Sequence, residues 1–163
     1  MSEWTEARIQ AVLMQWLLHD KHHEMVITNS TVLFPWEADL ASATRAGYSH
    51  EFEIKISVAD FERDKEKKAK HRSLAGLVSN YGQSIPNYFW YAVPEGMAVT
   101  VPDYAGLVNV YLHHRTYGVS TVKEAPRLHT TKLGADKTAT IARLLSFRLL
   151  SQSWAWLQNE VKP

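Results

Sequence analysis

Residues 51 to 57, Glu-Phe-Glu-Ile-Lys-Ile-Ser, alternate polar and apolar side chains without a break, which commits this stretch to an extended strand more firmly than any other part of the chain. With a period of two, Phe52, Ile54 and Ile56 line one side, and Glu51, Glu53, Lys55 and Ser57 the other. Just before it, Arg45-Ala46-Gly47 fits a three-residue hairpin turn, whose last position takes the left-handed conformation that glycine tolerates. Thr44 then faces Tyr48, and counting outward sets Ala41 opposite Glu51, Asp39 opposite Glu53 and Glu37 opposite Lys55. Glu51 lies one step off the acidic pair and drops out of it.

Like charges directly opposed in a sheet, with Cβ atoms about 5 Å apart, are destabilising. A hard divalent cation bound through oxygens would turn the repulsion between Asp39 and Glu53 into binding energy, and magnesium typically uses one or two carboxylates completed by waters and phosphates. The alternative is a solvated face on which Lys55 pairs with Glu37, since exposed ion pairs are common and weak.

The rest of the chain reads as a frame around this hairpin. Ile9, Val12, Leu13, Trp16 and Leu17 have the spacing of one helical face, predicting a helix over residues 3 to 18 with Ser2 as a cap. Residues 25 to 34 and 36 to 43 read as strands around Pro35. Ser57 and Asp60 can cap a helix over about 58 to 78, which the Gly, Asn and Pro of residues 79 to 87 end. Tyr88 to Val93, an apolar run between prolines, predicts a buried central strand whose aromatics are core rather than a base-stacking surface. Residues 106 to 114 and 117 to 125 predict two more strands, and Ala135 to Val161 a final helix with room for one break.

A length of 163 residues suits one domain, spanning 1–163. Eighteen Lys and Arg against 17 Asp and Glu leave a net charge of +1, so a nucleic-acid partner would have to be met by a local patch. With no cysteine, a disulfide framework, a thiolate zinc site and a cysteine nucleophile are excluded. The absence of a membrane-spanning apolar run and of a basic leader predicts a soluble, unexported protein of the cytoplasm, with no membrane partner.

Asp39 at the end of one strand, then Glu53-Ile54-Lys55 on its antiparallel neighbour with thirteen residues between the two carboxylates, resembles the PD-(D/E)xK nuclease superfamily. The order helix, three strands, helix, strand over residues 3 to 93 is similar to that superfamily's core, with further strands and a helix over 104 to 161. The segments WEADLASAT, EFEIKISVADF, NYFWYAVPEGM, YAGLVNVY and KEAPRLH look like a small family within it, associated with phages and mobile elements of bacterial hosts. Ala38 stands where the motif's name expects proline, a position without a ligand role.

The resemblance implies an α/β, restriction-endonuclease-like fold: a mixed central sheet flanked by helices. It implies magnesium, with manganese as a substitute, held by Asp39, Glu53 and the Ile54 carbonyl, and DNA cleaved by activated water. Lys55 would orient that water or stabilise charge on phosphate, and a helix-one acid, best matched by Glu6, would complete the site. Alanine at Asp39, Glu53 or Lys55 is expected to abolish cleavage and spare the fold. Double-strand cutting from one active site suggests a homodimer. RNA or branched or single-stranded DNA are alternative substrates, and a non-catalytic DNA-binding or assembly protein is the alternative of another class.

Six Lys or Arg lie between residues 63 and 72, and Lys67, Lys70, His71 and Arg72 are the candidate phosphate contacts beside the cleft. The opposing expectation is a solvated helix with pairs from Asp64 to Lys68 and Glu66 to Lys70. His19 and His23 are four apart, as on a zinc-binding helix, but lack a third ligand, so a polar helix end is expected there. His113 and His114 fall on opposite sides of a strand and cannot act as a pair.

Overall fold

The structure is a computed structural model that describes residues 4–77 and 85–160, the side chains of 157–160 excepted. Six strands among these residues form one mixed sheet in the order β1 to β6: β1 Met25–Ser30, β2 Ala38–Ala43, β3 Ser49–Ile54, β4 Tyr88–Pro94, β5 Ala105–His113 and β6 Thr116–Lys123. The pairs β1–β2, β2–β3 and β5–β6 are antiparallel, whereas β3–β4 and β4–β5 are parallel. The helices lie on both faces of the sheet, α1 (Glu6–Gln15) on one and α2 (Val58–Asp64) and α3 (Lys68–Leu74) on the other. Contacts gather into two compact units, Met1–Lys132, which holds the sheet, and Leu133–Pro163, which holds α4 (Ala135–Glu160).

The hairpin has the expected register. Gly47 has φ of 86°, the Thr44 amide donates to the Tyr48 carbonyl, and the ladder runs from Ala43 opposite Ser49 to Leu40 opposite Phe52. Beyond Leu40 the backbone ladder ends, and the Asp39 carboxylate takes its place, its Oδ2 accepting from the Ile54 amide at 2.8 Å. Glu37 therefore has no ladder partner in Lys55. The expected apolar face also stops early: Phe52 and Ile54 are buried, while Ile56, past the end of β3, is 46% exposed.

On the α1 face, Ile9, Leu13 and Leu17 pack against Phe52, Ile54, Trp90 and Val108. The parallel register sets His50 beside Tyr88 and Phe52 beside Trp90, with each pair of rings stacked. Gly106 makes room for this layer, because a Cβ there would meet the Trp90 ring at 2.4 Å. On the other face Phe61 and Leu74 from α2 and α3 cover Phe89, Tyr91 and Leu107. Thus Phe89, Trp90 and Tyr91 are core, as their proline-bounded run predicts.

Helix one is capped by Thr5, whose hydroxyl accepts from the Arg8 amide, and it continues into a π-helical turn over Trp16–Asp20; Ser2 and residues 79–84 lie outside the described residues. The expected single helix over 58–78 is two short helices. Its start is as expected, with Ser57 accepting from the Asp60 amide, but turns over Lys65 to Lys67 break it. No proline or glycine causes that break, and the reason is tertiary: Asp64, Lys67 and Lys70 turn inward to buried ionic partners. The final helix, α4, is continuous over 26 residues, with no break.

His23 is turned toward the sheet. Its Nδ1 lies 2.9 Å from the Ser42 hydroxyl, and its ring is 4.7 Å from that of His50, whose Nδ1 accepts from the Trp90 indole. Burial, aided by Lys21, lowers His23 to about 4, and burial, aided by His23, lowers His50 to about 3. Both are neutral in the fold at pH 6 and protonate in the unfolded chain near 6.5, so stability is full above 6.5 and falls as the pH drops toward 4. Each histidine should contribute a slope on the order of 1 kcal/mol per pH unit in that window. Urea titrations from pH 7 to 4.5 should show the slope reduced in the His50→Phe variant; a pH dependence equal to wild type would sink this assignment.

Candidate functional site

The odd-numbered face of β3 points at α2 and α3, and it is not solvated: Glu51 is 0% exposed, Glu53 1% and Lys55 6%. A buried carboxylate must be paired or protonated. Glu53 meets Lys55 and Lys67 through Oε1, at 2.8 and 2.6 Å, and Lys70 through Oε2 at 2.5 Å. Lys70 also reaches Glu51 at 2.6 Å, and both Glu51 oxygens accept from the Trp36 indole at 2.9 and 3.0 Å. Asp64, on α2, closes the cluster: it accepts from the Tyr91 hydroxyl at 2.7 Å, and Lys55 and Lys67 lie 3.3 and 3.0 Å from its Oδ1. Three carboxylates, Glu51, Glu53 and Asp64, thus face three ammonium groups.

The charges shift accordingly. Burial pushes Glu51 up despite Lys70. For Glu53 burial acts upward, but Lys70 and Lys55 outweigh it and hold the carboxyl below its ordinary value. Against burial, hydrogen bonds from His71 and Tyr91 together with Lys55 hold Asp64 well below the usual carboxylate range. Burial alone would lower Lys70, and the charges of Glu51 and Glu53 raise it instead.

Asp39 stands apart from this balance. Burial first, then the charge of Glu53, push its carboxyl up to about 6, against the pull of the Ile54 amide, and Glu6 acts in the same upward direction. The α1 acid is thus in the electrostatic field of the pair, linked through Gln10, whose Nε2 shares its hydrogens among Glu6 Oε1, Asn29 Oδ1 and the Asp39 carbonyl. Gln10 and Asp64 are the residues that sequence reasoning missed. Gln10, one turn after Glu6, and Asp64, between Arg63 and Lys65, were the available signals.

The four proposed phosphate contacts divide. Lys70 is buried in the carboxylate cluster, and His71 is held between Asp64 and the Tyr104 hydroxyl. Lys67 is half-exposed while touching Glu53, and Arg72 is exposed. The helical pairs expected of a solvated surface are replaced, since Asp64 pairs with Lys67 and Lys70 with the glutamates of β3. His113 lies 2.6 Å from Glu95 on the surface, and His114 sits in the β5–β6 turn with φ of 49°.

Hard oxygen donors suit a magnesium-like cation, and Asp39, facing Glu53 with Glu6 nearby, leaves an excess of negative charge at this end of the sheet. Among the described residues no three His, Cys, Asp or Glu side chains form a preformed cage, a condition compatible with a cation held by two carboxylates and water. Both Glu53 oxygens carry ammonium partners, of which half-exposed Lys67 is the one with room to withdraw.

No protein-family model matches this sequence, and no curated protein does. A solved structure, described as the SPO1766 protein of unknown function from Silicibacter pomeroyi, superposes with a TM-score of 0.61 at 15% identity, over 99% of this chain and 98% of that one. The two share a fold. Its description names no activity. No helix among the described residues is long and apolar enough to cross a membrane.

Two variants probe the electrostatics. Lys70→Ala leaves buried Glu51 without its ammonium partner and Glu53 Oε2 unpaired, and should cost about 3–5 kcal/mol in denaturant unfolding, whereas Lys65→Ala, which loses an exposed pair with Glu62, should change little. Asp39→Asn relieves a carboxylate whose ionisation the fold opposes. Because its folded pKa lies above the unfolded one, the penalty is absent near pH 4 and develops as pH rises through 6, so the variant should gain on the order of 1–2 kcal/mol at pH 7.5 and nothing at pH 4. A destabilised Asp39→Asn protein at pH 7.5 would contradict this account.

Proposed function

We propose that the chain is a metal-dependent nuclease of the restriction-endonuclease-like class that hydrolyses phosphodiester bonds in DNA. The observation that carries the reading is the meeting of Asp39, Glu53 and Lys55 at the open end of the β2–β3 hairpin, with Asp39 bonded to the Ile54 amide and Lys55 to Glu53. Support also comes from the element order and from the polarity of the sheet, in which an antiparallel β1–β2–β3 meander is followed by a helical crossover to a parallel β4.

Asp39 and Glu53 would hold the magnesium with the Ile54 carbonyl, and the metal when bound would lower the pKa of a coordinated water and brace phosphate oxygens. Asp39 is fixed for this by the Ile54 amide and by the Gln10 bond to its own carbonyl. Lys55 lies buried between Glu53 and Asp64, at the place where it would meet charge developing on a phosphate. Asp64 and Tyr91 position Lys55 rather than touching substrate. Lys67 and Arg72 supply sequence-independent phosphate attraction at the rim.

A second reading, a non-catalytic nucleic-acid-binding or assembly protein with the same fold, draws on the ammonium groups that already occupy both Glu53 oxygens. Plasmid and single-stranded DNA incubated with Mg²⁺ or Mn²⁺ separate the two. Under the nuclease reading, nicking is lost in EDTA and reduced at least a hundredfold in Asp39→Asn, and Mg²⁺ raises the melting temperature of wild type but not of that variant. Asp39→Asn is the informative change, because Glu53 and Lys55 are buried, so that alanine there would test packing together with chemistry. Binding without cleavage across DNA and RNA substrates, with no Mg²⁺ effect on melting, would favour the second reading.

A further inference from the structure

The sequence offers His71 as a phosphate contact, but the fold turns it inward. Its Nε2 lies 2.8 Å from the Asp64 carbonyl oxygen and 3.1 Å from Asp64 Oδ2, and its Nδ1 lies 2.7 Å from the Tyr104 hydroxyl. A carbonyl oxygen can only accept, so Nε2 carries the hydrogen; in the neutral ring Nδ1 then accepts from the tyrosine. The imidazole is fixed at both ends, and the Tyr104 ring packs in turn beside Phe89 in the core.

The two oxygens of Asp64 are used differently. Oδ2 accepts from the Tyr91 hydroxyl at 2.7 Å and faces His71. Oδ1 is buried and accepts no hydrogen bond among the described residues, although Lys55 and Lys67 stand 3.3 and 3.0 Å away. Both lysines donate to Glu53 Oε1 instead, at 2.8 and 2.6 Å. A buried acceptor short of a hydrogen bond is costly, and Tyr91 and His71 keep Asp64 from turning to relieve it. The carboxylate is therefore held with one oxygen in reserve, aimed at Lys55.

Glu53 is the carboxylate that the metal reading requires. A cation there competes for the oxygen that Lys55 now uses, and Asp64 Oδ1 is the reserve acceptor within reach of Lys55 Nζ. Half-exposed Lys67 has water as its alternative, whereas buried Lys55 has not. We infer that His71, locked by Tyr104, is a positioning residue: it holds Asp64 Oδ1 as a second seat for Lys55, which keeps its place in the site when Glu53 turns to a cation. His71 acts through Asp64 and touches neither substrate nor metal. This deepens the nuclease reading and rests on it for what Lys55 does.

The ring is read first, on the full chain in EDTA. Nitrogen-15 spectra should show His71 with a hydrogen on Nε2; an Nε2 without hydrogen would overturn the proposal, and needs no variant to fold. In the same conditions the Lys55 Nζ signal should be narrow in native protein, broadened by solvent exchange in His71→Leu and restored in His71→Gln, whose amide returns a donor to Asp64. A Lys55 signal equal in native and His71→Leu protein would overturn the second seat. With Mg²⁺, nicking by His71→Leu should fall on the order of tenfold in kcat at unchanged KM, and His71→Gln should recover most of it. Nicking at native kcat in His71→Leu would reject the positioning role and keep the nuclease. Native protein that does not nick would reject the nuclease, and the Lys55 signals in EDTA then decide the seat by themselves.

Discussion

The structure depends on a single buried ammonium. Lys70 bridges Glu51 and Glu53, two residues apart on the same side of β3, and thereby joins α3 to the central sheet. Without it, Glu51 would be buried under the helices with no ammonium partner, while Glu53 would keep Lys55 and Lys67. The same demand accounts for the break between α2 and α3: a straight helix would present Lys67 and Lys70 on one face at fixed spacing, while the observed turn brings both to Glu53 and leaves Asp64 free to hold Lys55. Buried ionic networks seldom add net stability over an apolar core. Their cost here is met by the conventional hydrophobic packing on both faces of the sheet.

The parts legible in the sequence were those set by local rules. Gly47 fixed the hairpin, so the pairing of Ala41 with Glu51 could be counted out residue by residue, and the proline-bounded run at β4 announced its burial. The parts that were not legible turn on tertiary partners. Nothing local distinguishes Lys70 from Lys68, yet one is 6% exposed and the other faces water. Glu51 was set aside because its strand partner is Ala41, and its true partners, Trp36 and Lys70, come from a loop and a helix that period-two counting does not reach. The helix break is invisible for the same reason.

The two faces of the sheet solve opposite problems. Toward α1, polar atoms are few, and His23 and His50 are kept neutral by burial, bonded to Ser42 and Trp90. Toward α2 and α3, three carboxylates meet three lysines, and burial still pushes Glu51 up. Asp39 lies at the open end of the hairpin and belongs to neither solution. It feels Glu53 and Glu6 as repulsion, and its compensation, the Ile54 amide and the charge of Lys55, falls short of that and of its burial.

A carboxylate compensated only in part persists where the surroundings leave it no alternative. Asp39 is held from both sides: its side chain replaces the backbone ladder at Ile54, and its carbonyl accepts from Gln10, which is itself tied to Asn29, a residue in the left-handed region with φ of 47°. Relaxing the repulsion would require giving up the end of the β2–β3 hairpin and the anchor to α1 together. The scaffold thus fixes a negative charge opposite Glu53 although folding alone would favour a neutral side chain there. A cation supplied from outside would reverse the sign of that interaction, which gives the proposed metal a thermodynamic role in the fold as well as a chemical one in the site.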